Sequence, residues 1–460
     1  MIEDDAARVS WLPGVGLRLS DWFERWLPDA FPLAAMAVVI VYLASLAVGA
    51  SPAAAAHSFG AGFWDLVVFT MQMTLIVVSG YTVATAPPVY AIIRRLAAVP
   101  STPRGAVAFI ALFSMLSSLV SWSFSLIFSA LLAREVAHRV RGADYRAIGA
   151  AAYLGIGSVW ALGLSSSAAL IMASPASLPP SIAAISGVIP LSQTLGLWQS
   201  LLMAAVLLVL STAIAYFSAP QGRVARTMGD MGVVYEPTTA DVERPKKPGE
   251  WLEYSPLVTI AIGALGIVYL IWEVRSTGAA VMLELNHYIF AFLIAGALLH
   301  WRPRSFMAAV SGSVPAAAGV LVQYPLYAGM LRMMTESGLA KRLADGFVAV
   351  STPHTFPVLI GAYSAVLGLF VPSAGSKWII EAPYVLGAAK ALHVSLAWVV
   401  QTYNASEALA NLVHPFWMLP LLGILSLKPR DVVGYTSLQF VVHVPVVLFL
   451  VWILNYTLRP

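Results

Sequence analysis

Long apolar runs alternate with short polar clusters along this chain, and the clusters come twice in the same order. Hydroxyl residues interrupt the apolar pattern at Ser121-Trp122-Ser123-Phe124-Ser125 and at Gly163-Leu164-Ser165-Ser166-Ser167-Ala168. In the second half the order recurs as Val371-Pro372-Ser373-Ala374-Gly375-Ser376, followed by Tyr403-Asn404-Ala405-Ser406-Glu407. Runs long enough to cross about 30 Å of hydrocarbon predict transmembrane helices. They fall at roughly 30–49, 63–86, 147–173, 197–217, 256–274, 287–301, 307–331, 394–413 and 436–457. Backbone that leaves a helix inside a bilayer survives only where protein or a wet cavity surrounds it. Paired interruptions in two halves therefore point to a transporter's binding site.

Charge placement adds two features. Arg94, Arg95 and Arg104 precede the uncharged stretch 105–133, and Arg134, Arg139, Arg141 and Arg146 follow it. Positive residues favour the cytoplasmic side, so both ends of this stretch are expected on one face. That predicts a re-entrant hairpin with its tip at Ser121–Ser125; the alternative is one long tilted helix. A second hairpin is expected over 353–391, entering from the outer side, with its tip at Pro372–Ser376. The outer loops 50–62 and 174–196 hold no Lys or Arg.

The expected organisation is an interfacial helix within 1–29, where Trp11, Trp22, Phe23 and Trp26 lie among charged residues. A first repeat over 30–217 follows, with hairpin 105–133 and broken helix 147–173. Residues 218–286 form a cytoplasmic linker and an extra span, and 287–460 a second, inverted repeat with hairpin 353–391 and broken helix 394–413. The fold class is thus an all-α polytopic membrane protein with inverted repeats, about nine transmembrane helices and two re-entrant hairpins. Matching features support the repeat: Gln72 pairs with Gln323, and Ser166-Ser167-Ala168 before Pro175 aligns with Ser406-Glu407-Ala408 before Pro415.

Composition agrees with a membrane protein: of 460 residues, 59% are hydrophobic and only 10% charged. The acidic start Met1-Ile2-Glu3-Asp4-Asp5 lacks a charged-then-apolar layout, so no cleaved signal peptide is expected. Cysteine is absent, which excludes disulfides, thiolate metal sites and a cysteine nucleophile. Net charge is +4, with the basic residues in loops between spans, so nucleic acid is not an expected partner. No G-x-x-x-x-G-K-[ST] phosphate loop and no H-E-x-x-H zinc helix occurs. An intramembrane serine hydrolase at Ser165–Ser167 would need a histidine, and none lies in an obviously matching span. The chain does not read as an enzyme.

The candidate chemistry is anion binding. Short helices that end inside the membrane direct unpaired N–H groups and a positive dipole end at the cavity, which suits a carboxylate. Ser121, Ser123 and Ser125 at one tip, and Ser373, Gly375 and Ser376 at the other, are candidate substrate contacts. The alternative for each serine is close helix packing. Ser165, Ser166, Ser167, Asn404 and Ser406 join them, because Gly163–Ser167 and Asn404–Glu407 are expected to unwind near the tips. Glu407, Ser167 and Asn411 are candidates for ion coupling, with Na⁺ or H⁺ as the ion. Asn411 lies one turn beyond Glu407 on the same face. Lys377 offers a counter-charge to a substrate carboxylate or, alternatively, snorkels to the surface. Glu381, His354 and His393 are expected near the interface, and Asp65 as an anchor at an outer boundary. No cofactor is expected.

Several strings resemble the bacterial short-chain fatty acid transporters, the group associated with acetoacetate and butyrate uptake. They are Arg25-Trp26-Leu27-Pro28-Asp29, Ser114 through Ala130-Leu131-Leu132-Ala133-Arg134-Glu135-Val136, Asp144-Tyr145-Arg146, and Gly187-Val188-Ile189-Pro190-Leu191-Ser192-Gln193-Thr194. Phe370-Val371-Pro372-Ser373 and Pro415-Phe416-Trp417 followed by Leu419-Pro420-Leu421-Leu422-Gly423-Ile424 complete the set. The resemblance implies membership of the ion transporter superfamily and an elevator-type carrier. The p-aminobenzoyl-glutamate transporters are the nearest architectural parallel. The chain departs from the family pattern at Ser123 and Ser125, where glycine is usual. At the second tip the family's Ser-Gly-Gly-Gly-Gln-Trp becomes Ser373-Ala374-Gly375-Ser376-Lys377-Trp378, and Glu407 replaces an aspartate. These readings together predict a secondary active carrier of short-chain monocarboxylates in the bacterial inner membrane, dimeric, with a small organic anion and the lipid bilayer as partners. The alternatives are a carrier for a dicarboxylate or amidated amino acid, and a passive anion channel.

Overall fold

The computed structural model describes residue 25 and residues 30–65, 67–173, 175, 178, 180–235, 247–283, 285–339, 342, 349–369, 374–414 and 416–458. Among these residues the secondary structure is entirely helical. The interfacial helix expected within 1–29 lies, apart from Arg25, outside them. Prolines mark the starts: Pro52, Pro87, Pro103, Pro256, Pro303 and Pro429 each sit in a first helical turn. There the missing N–H would have had no intrahelical partner in any case.

Among the described residues five helices are long and apolar enough to cross a membrane: Pro103–Val120, Tyr145–Ala173, Trp198–Ser218, Pro248–Thr277 and Pro429–Asn455. A sixth arises if Thr70–Thr85 and Pro87–Leu96, bent by 77°, count as one span. The bend falls at Ala86, before two prolines, and Pro87–Leu96 ends in Arg94 and Arg95. Pro303–Glu336 is a single helix of 34 residues that continues through Pro315 and Pro325. Helix Pro256–Thr277 stands at the periphery, with Leu257, Ile260, Leu265, Val268, Ile271 and Trp272 exposed. An apolar surface of that extent belongs in lipid, and the chain is a multi-pass membrane protein.

Residues 50–62, expected as an outer loop, instead contain a helix, Pro52–Gly62. The Ser51 hydroxyl accepts the Ala54 N–H at 3.1 Å and starts it.

Two helical pairs fold back on themselves. In the first, Ser121 is extended (φ −153°, ψ 112°) and caps both limbs. Its N–H donates to Ser117 O at 2.9 Å, closing Pro103–Val120, and its hydroxyl accepts the Phe124 N–H at 3.4 Å, opening Trp122–Arg139. The limbs then run side by side. The Ser125 hydroxyl reaches Ser114 O at 2.6 Å, and the Phe113 and Phe128 rings stack at 5.3 Å. In one straight helix residues 114 and 125 would stand about 16 Å apart along the axis. The second pair joins Phe356–Gly368 to Ala374–Ala391. Its limbs meet through the Tyr363 and Tyr384 hydroxyls at 3.0 Å.

Between the hairpins runs an interrupted, almost wholly buried helix. Asp144 caps it by accepting the N–H groups of Arg146 and Ala147, both at 3.0 Å. It is α-helical over Tyr145–Leu154, widens to a π-helix over Gly155–Val159, tightens to 3-10 over Trp160–Leu162, and turns before Ser167–Ala173. The linker after Ser218 is stitched to the feet of these elements. Tyr145 N donates to Arg226 O at 2.8 Å, Arg226 N to Asp144 Oδ2 at 3.0 Å, and Tyr235 OH to Glu135 Oε1 at 2.5 Å.

Candidate functional site

The tip of the first hairpin is tied to the interruption in the buried helix. The Ser165 hydroxyl donates to Ser118 O at 2.6 Å and accepts the Trp122 N–H at 2.8 Å. Gly163 makes the approach possible, since a Cβ there would lie 2.3 Å from Leu119 O. Ser121 donates to Tyr288 OH at 3.1 Å and lies 3.4 Å from the Ser123 hydroxyl. Ser125 is spent on the backbone of the opposite limb and presents no free hydroxyl hydrogen.

A second set of polar groups forms one directed run of hydrogen bonds. Ala169 N donates to Ser166 Oγ (3.1 Å), Ser166 Oγ to Asn404 Oδ1 (2.9 Å), and Asn404 Nδ2 to Gln401 Oε1 (2.6 Å). Gln401 Nε2 continues to Ser200 Oγ (2.7 Å), whose hydroxyl donates to Thr194 O (2.9 Å). All four side chains are buried. A fully satisfied buried network of this kind holds its members in one arrangement.

The expectation that Asn404-Ala405-Ser406-Glu407 unwinds is corrected: Leu396–Asn411 is one continuous helix. Its polar side chains find partners sideways, so the backbone has no reason to open. Asn411 Nδ2 donates to Ile156 O at 3.3 Å, taking a carbonyl of the π-helical stretch, and Tyr153 OH donates to Asn411 O at 2.9 Å. Asn411 therefore braces the first interruption.

The third group is ionic. Lys377, in the first turn of the Ala374–Ala391 helix, is 0% exposed, as is Glu381, and Glu407 is 1% exposed. Lys377 Nζ forms an ion pair with Glu407 Oε2 and donates to Ser364 O at 2.7 Å. It lies 3.8 Å from Glu381 Oε1 and 4.7 Å from the centre of the Tyr403 ring. The Ser364 hydroxyl donates to Glu381 Oε2 at 2.7 Å. Gly368 allows a close approach to the pair: a Cβ there would come 2.8 Å from Ala410 Cβ and 3.4 Å from both Lys377 Nζ and Glu407 Oε2. The snorkelling alternative for Lys377 is thereby excluded, and Glu381, expected near the interface, is in the interior. His354 and His393 are exposed, and Asp65 pairs with Arg332 at 3.2 Å.

The two interrupted regions meet at Gly375, where a Cβ would lie 3.6 Å from Ser167 Cβ. Ser373 lies outside the described residues, and the backbone of Ser376 is in the first helical turn after it. Ser406 is buried, its hydroxyl 2.9 Å from a Cβ built on Gly361. Among the described residues no three His, Asp or Glu side chains gather as a metal-binding group. Residues that sequence reasoning missed are Gln401, Ser200, Ser364 and Tyr288, while Glu381 was named but placed at the interface. Gln401 was within reach, since it precedes Asn404 by one helical turn; Ser364 gives no local signal.

Residues 12–454 match the family model described as short chain fatty acid transporter. The chain belongs to that family. Two relatives carry names that assign them, provisionally, to short-chain fatty acid transport. One, from Escherichia coli strain K12, is 35% identical over 428 residues, 92% of this chain and 96% of its own. The other, from Haemophilus influenzae, is 30% identical over 433 residues, 93% of this chain and 96% of its own. Among solved structures, the YdaH transporter of Alcanivorax borkumensis aligns at 17% identity with a TM-score of 0.45, covering 93% of this chain and 98% of that one. MtrF of Neisseria gonorrhoeae, described with a class of antimetabolite efflux pumps, aligns at 14% identity and a TM-score of 0.38, over 95% and 97% of the two chains.

Proposed function

We propose that the chain is a secondary active carrier of short-chain monocarboxylates such as butyrate or acetoacetate in the bacterial inner membrane. The observation that carries this is the buried Lys377, a cation next to the junction of Gly375 and Ser167. A cation removed from water is a strong site for a carboxylate, and ionisable groups at membrane depth mark substrate and ion pathways. Ser123 at the first tip, the expected Ser373 and Ser376 at the second, and Ser167 at the interruption supply the hydroxyl groups of the anion site in this reading, with Ser121, Ser165 and Ser166 bracing them. Glu407, Ser167 and Asn411 serve the coupling ion, H⁺ or Na⁺.

In the same reading the two halves are inverted repeats with nine crossings and two re-entrant hairpins. The hairpin-bearing bundle slides as an elevator against a scaffold that also forms a homodimer. The test is counterflow in proteoliposomes with a panel from acetate to hexanoate plus acetoacetate, under H⁺ and Na⁺ gradients imposed separately. A carrier gives saturable uptake that is stimulated by substrate on the far side. Uptake with neither property identifies a pore, and a preference for dicarboxylates moves the substrate class.

A further inference from the structure

The ionic cluster holds one ammonium and two carboxyl groups, and this count has consequences for the cargo. The titratable groups facing it are Tyr363 from the first limb of the second hairpin, Lys377, Glu381 and Tyr384 from the second limb, and Tyr403 and Glu407 from the Leu396–Asn411 helix. Among the described residues Lys377 is the one cation there. Glu407 takes it directly. Glu381 stands 3.8 Å off, with Oε2 bonded to Ser364 and no hydrogen-bond partner for Oε1. A second ionised carboxylate in this interior would have no cation to match it. One ammonium matches one carboxylate charge, and the shorter contact gives it to Glu407.

From this we infer that Glu407 is an internal stand-in for the substrate, displaced from Lys377 by the cargo carboxylate as Glu407 takes up a proton. The step balances. The ammonium–Glu407 carboxylate pair, one substrate carboxylate and one proton become an ammonium–substrate carboxylate pair and a neutral Glu407. Net charge in the cluster is zero before and after, so one proton accompanies each monocarboxylate and the transfer is electroneutral. Sodium then has no part in the exchange at Lys377. Gly368 supports the arrangement, because its backbone packs closely against the pair where a Cβ would come 2.8 Å from Ala410 Cβ and 3.4 Å from both charged atoms. The inference rests on the carrier reading above and specifies its coupling.

The test is calorimetric titration of butyrate into the full-length protein in detergent, in two buffers of different ionisation enthalpy. The expected result is uptake of about one proton per butyrate, with apparent affinity rising about tenfold for each pH unit lowered. In Glu407→Gln the carboxyl that accepts the proton is gone, so butyrate binds with no proton uptake and a flat pH dependence. Glu407→Asp, which retains a carboxylate, keeps the proton uptake and covers the case in which Glu407→Gln does not fold. Saturable butyrate binding to the unaltered protein without proton uptake overturns the exchange and leaves the carrier reading standing. Proton uptake that persists in Glu407→Gln likewise overturns it. No saturable binding of butyrate, acetate, hexanoate or acetoacetate removes the carrier reading itself, and the exchange with it.

Discussion

The hydroxyl of Ser125 donates to the carbonyl oxygen of Ser114 at 2.6 Å, across a separation of eleven residues that a straight helix would stretch beyond reach. The contact makes Pro103–Val120 and Trp122–Arg139 two limbs of one helical hairpin.

That geometry has a direct labelling consequence. The chain contains no cysteine, so single cysteines can be introduced without a background. Ser101→Cys and Arg141→Cys, both exposed beyond the feet, should react with a membrane-impermeant maleimide from the same face of sealed vesicles. Labelling from opposite faces would show one crossing helix in place of the hairpin.

The turn back near Ser121 was expected from the sequence, because an uncharged stretch between two arginine clusters has few ways to leave both on one face. The interruption after Gly163 was legible for a related reason: a glycine followed by three serines offers the backbone local alternatives to the helix. Asn404 and Glu407 misled for the opposite reason. Polar residues in an apolar run announce that partners are needed, but do not say whether backbone or side chains supply them. Here Ser166, Gln401 and Lys377 do so from the side, and the helix stays whole. The burial of Glu381 was invisible because its compensation comes from Ser364 in the other limb.

Lys377→Met removes the one cation that pairs with Glu407 among the described residues and should lower stability by about 3–5 kcal/mol, the usual cost of stranding one member of a buried pair. The double variant Lys377→Met/Glu407→Gln should recover most of that loss while remaining unable to bind carboxylate. Thermal unfolding in detergent reads the first effect, and the half-saturating butyrate concentration in counterflow reads the second. An unaltered half-saturation in Lys377→Met would remove Lys377 from the site.

Gly163→Ala places a methyl group 2.3 Å from Leu119 O, a backbone atom that cannot swing aside. The tip of the first hairpin must then separate from the interrupted helix, at an expected cost of about 1–3 kcal/mol and with reduced counterflow. Gly60→Ala, where an added Cβ meets nothing within 4 Å, serves as the comparison in the same unfolding assay.

Ser166→Ala deletes a helix cap and leaves Asn404 Oδ1 without its donor. Leaving a buried acceptor unpaired costs about 1–3 kcal/mol. The melting temperature should fall accordingly, and Ser166→Thr, which restores the hydroxyl, should recover it if the added methyl group is accommodated. Equal melting temperatures for Ser166→Ala and the unaltered protein would show the bond to be dispensable.

The stitching of Arg226 to Asp144 and of Tyr235 to Glu135 means that the part of the connector up to Tyr235 is fastened to the first hairpin and the buried helix. Tyr235 also stacks on His138 at 3.8 Å, in the foot of the first hairpin. A hairpin that shifts relative to the rest of the molecule must either drag this clasp along or tear it open. Proteolytic nicking between residues 226 and 247, faster or slower when butyrate is present, would turn the clasp into a gauge of where the hairpin stands.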